Sequence, residues 1–183
     1  MTNQLIVLAG PTAVGKGTVV KYILEHYPNV HLSVSATTRA PRPGEVEGES
    51  YFFLSHEEFD RLIESGDMLE YAVVHGVNKY GTPKQPVLAA LAKGQQVILE
   101  IDIQGARQVK ESMPEAKLVF IAPPSWDELV QRLQGRGTES AEEQARRLET
   151  AALELAAQSE FDYVVINDEV ARCASEVVDL IQA

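Results

Sequence analysis

The sequence predicts an α/β fold: a parallel sheet flanked by helices on both faces, interrupted by two inserted segments. Three observations carry that expectation. Short, wholly apolar runs recur at Leu5-Ile6-Val7-Leu8, Val97-Ile98-Leu99, Val119-Phe120-Ile121 and Val164-Val165-Ile166, and runs without alternation mark strands buried on both faces. Stretches with helical spacing separate these runs, which is the rhythm of a parallel sheet with crossover helices. At 183 residues, the chain is long enough for one domain with a sizeable core.

The elements follow in order. The run 5–8 ends in a turn at Gly10-Pro11, and residues 17–26 continue as a helix whose inner face is expected at Val20, Ile23 and Leu24. Residues 87–93 read as a helix stopped by Gly94, and 170–181 as a closing helix. Two stretches depart from this rhythm. From about 35 to 82 a turn-rich charged loop leads into a strand-like Tyr51-Phe52-Phe53-Leu54. Ser55 with Glu58 then forms a capping-box pattern that opens a short helix ending near Gly66. From about 125 to 158, Ser125 with Glu128 and Ser140 with Glu143 repeat the pattern on either side of Gly135-Arg136-Gly137, as in a helical flap hinged on glycine. The expected division is a core at about 1–34, 83–124 and 159–183, a mixed α/β subdomain at 35–82, and a helical lid at 125–158.

Composition excludes several classes. The formal net charge of −11 argues against a nonspecific nucleic-acid binder, which needs a basic stripe to neutralise phosphates. No apolar run reaches the roughly 20 residues that span a bilayer. Met1-Thr2-Asn3-Gln4 has no basic n-region, so no secretory signal is expected. Cys173 is the only cysteine, which suits a reducing compartment, and a cytoplasmic location is expected. His26, His31, His56 and His75 lack metal-ligand spacing, and Trp126 and Cys173 are expected to pack on helix faces. Arginines gather in two places, Arg39 with Arg42, and Arg132, Arg136, Arg146 and Arg147. In an acidic chain these are either sites for small polyanions or solvated surface residues.

The run Gly10-Pro11-Thr12-Ala13-Val14-Gly15-Lys16-Gly17-Thr18 sits between a strand and a helix, the context of a phosphate-binding loop. Glycines let backbone N–H groups curl around phosphate at a helix N-terminus, and the lysine reaches the β- and γ-phosphates. Strand, loop and helix together specify the P-loop NTPase fold. The usual Ser or Thr directly after the lysine is replaced by Gly17, so Thr18 is not expected to ligate a metal directly and is placed nearer an α-phosphate. Ala13 stands where glycine is frequent, a departure expected to leave the backbone cradle intact.

The segment Ser33-Val34-Ser35-Ala36-Thr37-Thr38-Arg39-Ala40-Pro41-Arg42-Pro43-Gly44-Glu45, continued by Gly48-Glu49-Ser50-Tyr51-Phe52-Phe53, narrows the reading. With Asp102-Ile103-Gln104-Gly105, Ile121-Ala122-Pro123-Pro124-Ser125 and Arg132-Leu133-Gln134-Gly135-Arg136-Gly137-Thr138, it closely resembles the guanylate kinase family, motif by motif and in order. The resemblance implies ATP and GMP as small-molecule substrates, with dGMP as a further acceptor and neither nucleic acid nor membrane as a partner; it does not decide the oligomeric state. It implies a GMP-binding role for 35–82, with Arg39, Arg42 and Tyr51 on the GMP phosphate and Tyr80 beside them. Glu70 is similar to the family's guanine-reading carboxylate, with Ser35 and Thr82 as hydroxyl contacts on the base. Asp102 resembles an acid near the base and the metal waters, helped by Glu100, with Mg²⁺ held through phosphates and water and no direct protein ligand. Arg132, Arg136 and Arg147 resemble lid arginines that close over ATP, and Asn167 an adenine-edge contact. The stretch 75–82 looks about one residue longer than the family form.

The chemistry implied is phosphoryl transfer in which Lys16, Arg42, Arg136 and Arg147 stabilise charge, with no general base, because the attacking phosphate oxygen is already ionised near neutrality. Two alternatives stand beside it: a catalytically inactive guanylate-kinase-like binding module, and a P-loop kinase with another acceptor.

Overall fold

The computed structural model describes residues 5–134 and 140–182. The chain runs through β1 (Leu5–Ala9), α1 (Lys16–His26), β2 (Val30–Leu32), β3 (Ala36–Thr37), β4 (Phe52–Phe53), α2 (His56–Glu64), β5 (Met68–Val74) and β6 (Asn78–Pro83). It continues through α3 (Lys84–Ala92), β7 (Gln96–Glu100), α4 (Ile103–Ser112), β8 (Lys117–Ala122), α5 (Trp126–Gln134), α6 (Ala141–Ala156), β9 (Tyr163–Ile166) and α7 (Val170–Gln182), with a short 3-10 helix at Ala157–Glu160.

Five strands form a parallel sheet in the order β2-β7-β1-β8-β9. Every residue of β1 is buried, because successive side chains enter opposite faces of a sheet that is covered on both sides. Ile6 and Leu8 join Val20 and Ile23 of α1 and Val177 and Ile181 of α7. Leu5 and Val7 join Val87 of α3 and Ala106 and Val109 of α4. The α/β expectation therefore holds, with three local corrections. The inner face of α1 is Val19, Val20 and Ile23, while Leu24 is 40% exposed; positions 20, 23 and 24 fit one helical face, yet so do 19, 20 and 23. The run 164–166 is not a doubly buried strand: β9 is the sheet edge, and only its Val165 is buried. Trp126, expected to pack on its helix, opens α5 and is 41% exposed.

The second sheet is mixed, in the order β4-β3-β6-β5. It has its own small core of Ala36, Phe59 and Met68, with Phe52, Leu54, Leu62 and Ile63 packed against it. Ser55 caps α2 through a reciprocal box with Glu58, and Ser140 caps α6 in the same way with Glu143. At Ser125 the hydroxyl accepts from the Glu128 N–H (3.2 Å), but the Glu128 carboxylate lies against Arg132 (3.4 Å). The glycines of the expected hinge, Gly135 and Gly137, lie outside the described residues.

Candidate active site

The loop between β1 and α1 is shaped by its own backbone. Gly15 occupies the N-cap of α1 at φ 94°, a left-handed conformation that glycine adopts without steric penalty. Ala13 also lies in the left-handed region, at φ 66°. The alanine therefore keeps the loop shape at a conformational cost of about 1–2 kcal/mol, a strain that the sequence reading did not anticipate. Lys16 opens the helix and folds back to donate from Nζ to the Gly10 carbonyl (2.7 Å). Burial pulls its ammonium below the ordinary lysine range, against the opposing pull of Glu154, Glu100 and Asp102.

Two of the expected donor-side residues brace this loop from outside. The Asn167 side-chain amide donates to the Val14 carbonyl (2.8 Å), and Arg132 donates to the same oxygen (3.0 Å) and to the Asn167 carbonyl (3.2 Å). Asn167 is buried. The structure thus gives its amide a loop-shaping partner that the sequence could not reveal. Asn167→Ala removes one of the two donors on Val14 and leaves Arg132 as the other, so the loss is the net worth of one hydrogen bond, about 0.5–1.5 kcal/mol. A drop in Tm of several degrees is expected in a thermal melt without nucleotide, since about 1 kcal/mol corresponds to roughly 2–4 °C in a domain of this size; an unchanged Tm would refute the bracing role.

Pro11, Ala13, Val14, Gly15, Lys16, Gly17, Thr18, Glu100 and Arg132 line an open cavity of about 600 Å³. Among the described lid residues, Arg147 lies half-buried on α6 and Arg146 beside it is exposed. Arg136 falls outside the described residues. One contact here was invisible to sequence reasoning: Glu154 of α6 accepts from the Thr12 N–H at 2.8 Å, so a carboxylate from the helical pair already sits on the phosphate loop.

Across the cleft, the second sheet gathers the other expected residues. Arg39 donates through Nε to the Tyr80 hydroxyl (3.2 Å), and its guanidinium carbon stands 5.4 Å from the centre of the Tyr51 ring. Tyr51 and Tyr80 meet edge to face. Arg39 also makes a two-pronged pair with Glu45 (3.0 and 2.8 Å), and Glu45 accepts from the Arg42 N–H (2.7 Å). Hydrogen bonds from Arg39 hold the Glu45 carboxyl below its ordinary range. Glu45 follows Arg39 by six residues and Arg42 by three, a spacing within one turn-rich loop that signals this pairing in the sequence. Arg42 itself is exposed.

Glu70 of β5 and Thr82 of β6 are cross-strand partners. The Thr82 hydroxyl donates to the Glu70 carboxylate at 2.7 Å. Glu70 is only 8% exposed, and burial pushes its carboxyl above the ordinary glutamate range; Thr82 opposes that shift and the Asp102 charge adds to it. Among the described residues, no Lys or Arg is one of the groups setting its titration. Within 75–82, the turn His75-Gly76-Val77 lies beyond the last strand pair Val74–Asn78, and on β6 Tyr80 stands opposite Ala72 and Thr82 opposite Glu70. Asp102 caps α4 by accepting from the Gly105 N–H (2.7 Å). Ser35, Tyr51, Glu49 and Glu100 are among the residues lining a cavity of about 500 Å³. Glu100 also borders the phosphate-loop cavity, so the two meet at the C-terminal end of β7, where open α/β sheets receive ligands. The walls around Glu100 raise its carboxyl above the ordinary range, while Lys16 pulls it back. Among the described residues there is no group of three or more His, Cys, Asp or Glu able to hold a metal ion by themselves, and no helix is long and apolar enough to cross a membrane.

Comparison with known proteins agrees with this geometry. The family model for guanylate kinase matches residues 2–183. A guanylate kinase of Leifsonia xyli subsp. xyli is 64% identical over 97% of this chain and 70% of its own length. One from Nocardia farcinica is 58% identical over 97% of this chain and 93% of its own. The crystal structure of guanylate kinase from Anaplasma phagocytophilum superposes with a TM-score of 0.72 at 35% identity, covering 99% of this chain and 85% of that one. A parallel sheet carrying a phosphate loop, a second mixed sheet facing it, and a match along nearly the whole sequence lead to one assignment: the chain belongs to the guanylate kinase family.

Proposed function

We propose that this chain transfers the γ-phosphoryl group of ATP to GMP, and to dGMP, giving ADP and GDP or dGDP. The observation that carries the acceptor assignment is Glu70, a buried carboxylate steadied by Thr82 and set by no Lys or Arg among the described residues. Such a group needs donors from a ligand. Guanine offers two on one edge, its N1–H and its 2-amino group, whereas adenine presents an acceptor at N1 and has no amino group there. A site built around that carboxylate rejects adenine by leaving a buried charge unpaired.

The other roles follow from charge and position. Arg39 and Arg42, with the Tyr51 and Tyr80 hydroxyls, hold the acceptor phosphate, for which the planar guanidinium fork is suited. Ser35 and Thr82 supply hydroxyls toward the base. Lys16 and the backbone N–H groups of residues 10–18 hold the donor phosphates. Arg132 and Arg147 lie on α5 and α6, and the helical pair spanning 125–158 acts as a lid; closing it excludes water, which otherwise competes as acceptor. Glu100 and Asp102 are hard oxygen donors near Lys16, which suits a cation that keeps several of its waters. These two residues would hold Mg²⁺ through such waters, and the ion when bound neutralises charge on the β- and γ-phosphate oxygens. No side chain needs to remove a proton, so the residues act by alignment and charge alone.

A coupled ADP-release assay with ATP, Mg²⁺ and each of GMP, dGMP, AMP, CMP and UMP tests this reading. ADP release that depends on GMP or dGMP is expected. Equal release with AMP, or release without any acceptor, would overturn it.

A further inference from the structure

Strand β5 carries Glu70 and is the outer strand of the mixed sheet. One side of its backbone pairs with β6, and the other side has no strand beside it. Edge strands expose unpaired N–H and C=O groups on that side. Here helix α4, which belongs to the core, supplies the missing partners. The Gln108 side chain donates from Nε2 to the Tyr71 carbonyl (3.0 Å) and accepts through Oε1 from the Tyr71 N–H (3.0 Å). One primary amide thereby reproduces the two-bond exchange that an antiparallel strand residue would make. The Ser112 hydroxyl donates to the Leu69 carbonyl (2.8 Å). Leu69 and Tyr71 flank Glu70, so the backbone on both sides of the carboxylate is tied to α4.

The same helix face approaches the carboxylate itself. Gln108 and Ser112 are four residues apart and Gly105 lies three residues before Gln108, the spacing of one helical face. A Cβ at Gly105 would stand 3.1 Å from Glu70 Oε2 and 3.2 Å from Asp102 Oδ1. That helix turn therefore packs against Glu70 with no room for a side chain. α4 begins at its cap Asp102, directly after core strand β7.

We propose that Gln108 and Ser112 are positioning residues that aim Glu70 at the acceptor base, so that acceptor selectivity is set from the core through α4. The inference rests on the guanine-reading role given to Glu70 above. Neither residue touches substrate; both act through the β5 backbone.

The test is a double-mutant cycle with steady-state kinetics for ATP, GMP and AMP on the full chain. Gln108→Leu with Ser112→Ala removes the three hydrogen bonds to β5, each worth a few-fold in an equilibrium, together with the weaker one from Ser112 to the Val109 carbonyl. The expected result is a rise of about tenfold in KM for GMP and a matching loss of GMP-over-AMP selectivity, with KM for ATP changed less than twofold. In a Glu70→Gln background the same pair should change selectivity less than twofold, because positioning a group matters only while that group reads the base. Ser112→Ala alone, a smaller change, carries the same comparison at about threefold should the pair fail to fold. Equal rises in KM for ATP and GMP, or undiminished losses in the Glu70→Gln background, would overturn the inference while leaving the functional reading intact. A wild-type chain with no GMP-dependent ADP release would overturn both.

Discussion

Lys16→Ala is expected to lower kcat by at least 10²- to 10³-fold at saturating ATP and GMP, the loss typical of removing one group that stabilises transition-state charge. Lys16 is the cation at the mouth of α1, within the influence of Glu154, Glu100 and Asp102. Its present hydrogen bond to the Gly10 carbonyl keeps the ammonium inside the loop, ready to follow the phosphoryl group as charge spreads over its oxygens. Taking it away leaves Glu154, Glu100 and Asp102 near the phosphate loop with one opposing charge fewer. ATP binding should weaken as well, but by less than kcat falls, because the interaction is strongest in the transition state. Fluorescent-nucleotide titration separates the two effects. A kcat within tenfold of wild type would show that the lysine only holds the ground state.

Glu70→Gln is expected to lower kcat/KM for GMP by about 10²- to 10⁴-fold while changing the value for AMP only slightly. The amide keeps the acceptor that Thr82 uses, but it turns one guanine-facing acceptor into a donor that opposes the guanine N–H groups. The same substitution should raise the Tm of the nucleotide-free protein above neutral pH by a few degrees. Burial raises the Glu70 carboxyl above its ordinary range, so the folded state holds the proton more firmly than the unfolded chain. That stabilisation is fully present below the ordinary glutamate pKa and is lost as pH rises through the folded value. Guanine binding runs the other way, since it needs the ionised form. KM for GMP in the wild type should therefore fall as pH rises from the ordinary glutamate range through the raised value, and the dependence should be weaker in Glu70→Gln, where only the second ionisation of the GMP phosphate remains. Parallel losses for GMP and AMP would defeat the base-reading role.

Much of the fold was legible because its signals are local. The phosphate loop is contiguous, the apolar runs 5–8, 97–99 and 119–121 are strands of the parallel sheet, and the Ser55 and Ser140 boxes form as the spacing implied. Signals weakened where burial depends on neighbours. Val164-Val165-Ile166 has the composition of a central strand but lies at the edge. Val30–Leu32 is too short to announce itself. The β5–β6 hairpin was not read as one, because its pairing is irregular between Met68 and Glu70 and its turn lacks a two-residue Asn-Gly or Asp-Gly signal. The site divides in the same way. Lys16, Arg39 and Tyr51 stand in recognisable motifs and Glu70 follows from the family resemblance, whereas the Glu154 contact joins residues 142 positions apart, and Gln108 meets Tyr71 across 37. Only the packed tertiary structure brings such pairs together.

The Arg39–Glu45 pair has one more consequence. A guanidinium already satisfied by an internal carboxylate gains, on meeting a phosphate, only the difference between two anions. Chloride, acetate or a lone carboxylate metabolite offers no such surplus and leaves the pair closed. A phosphomonoester dianion does offer it, through its second charge and its additional oxygens, so in the acceptor role proposed for Arg39 the internal glutamate would act as a threshold that screens weak anions.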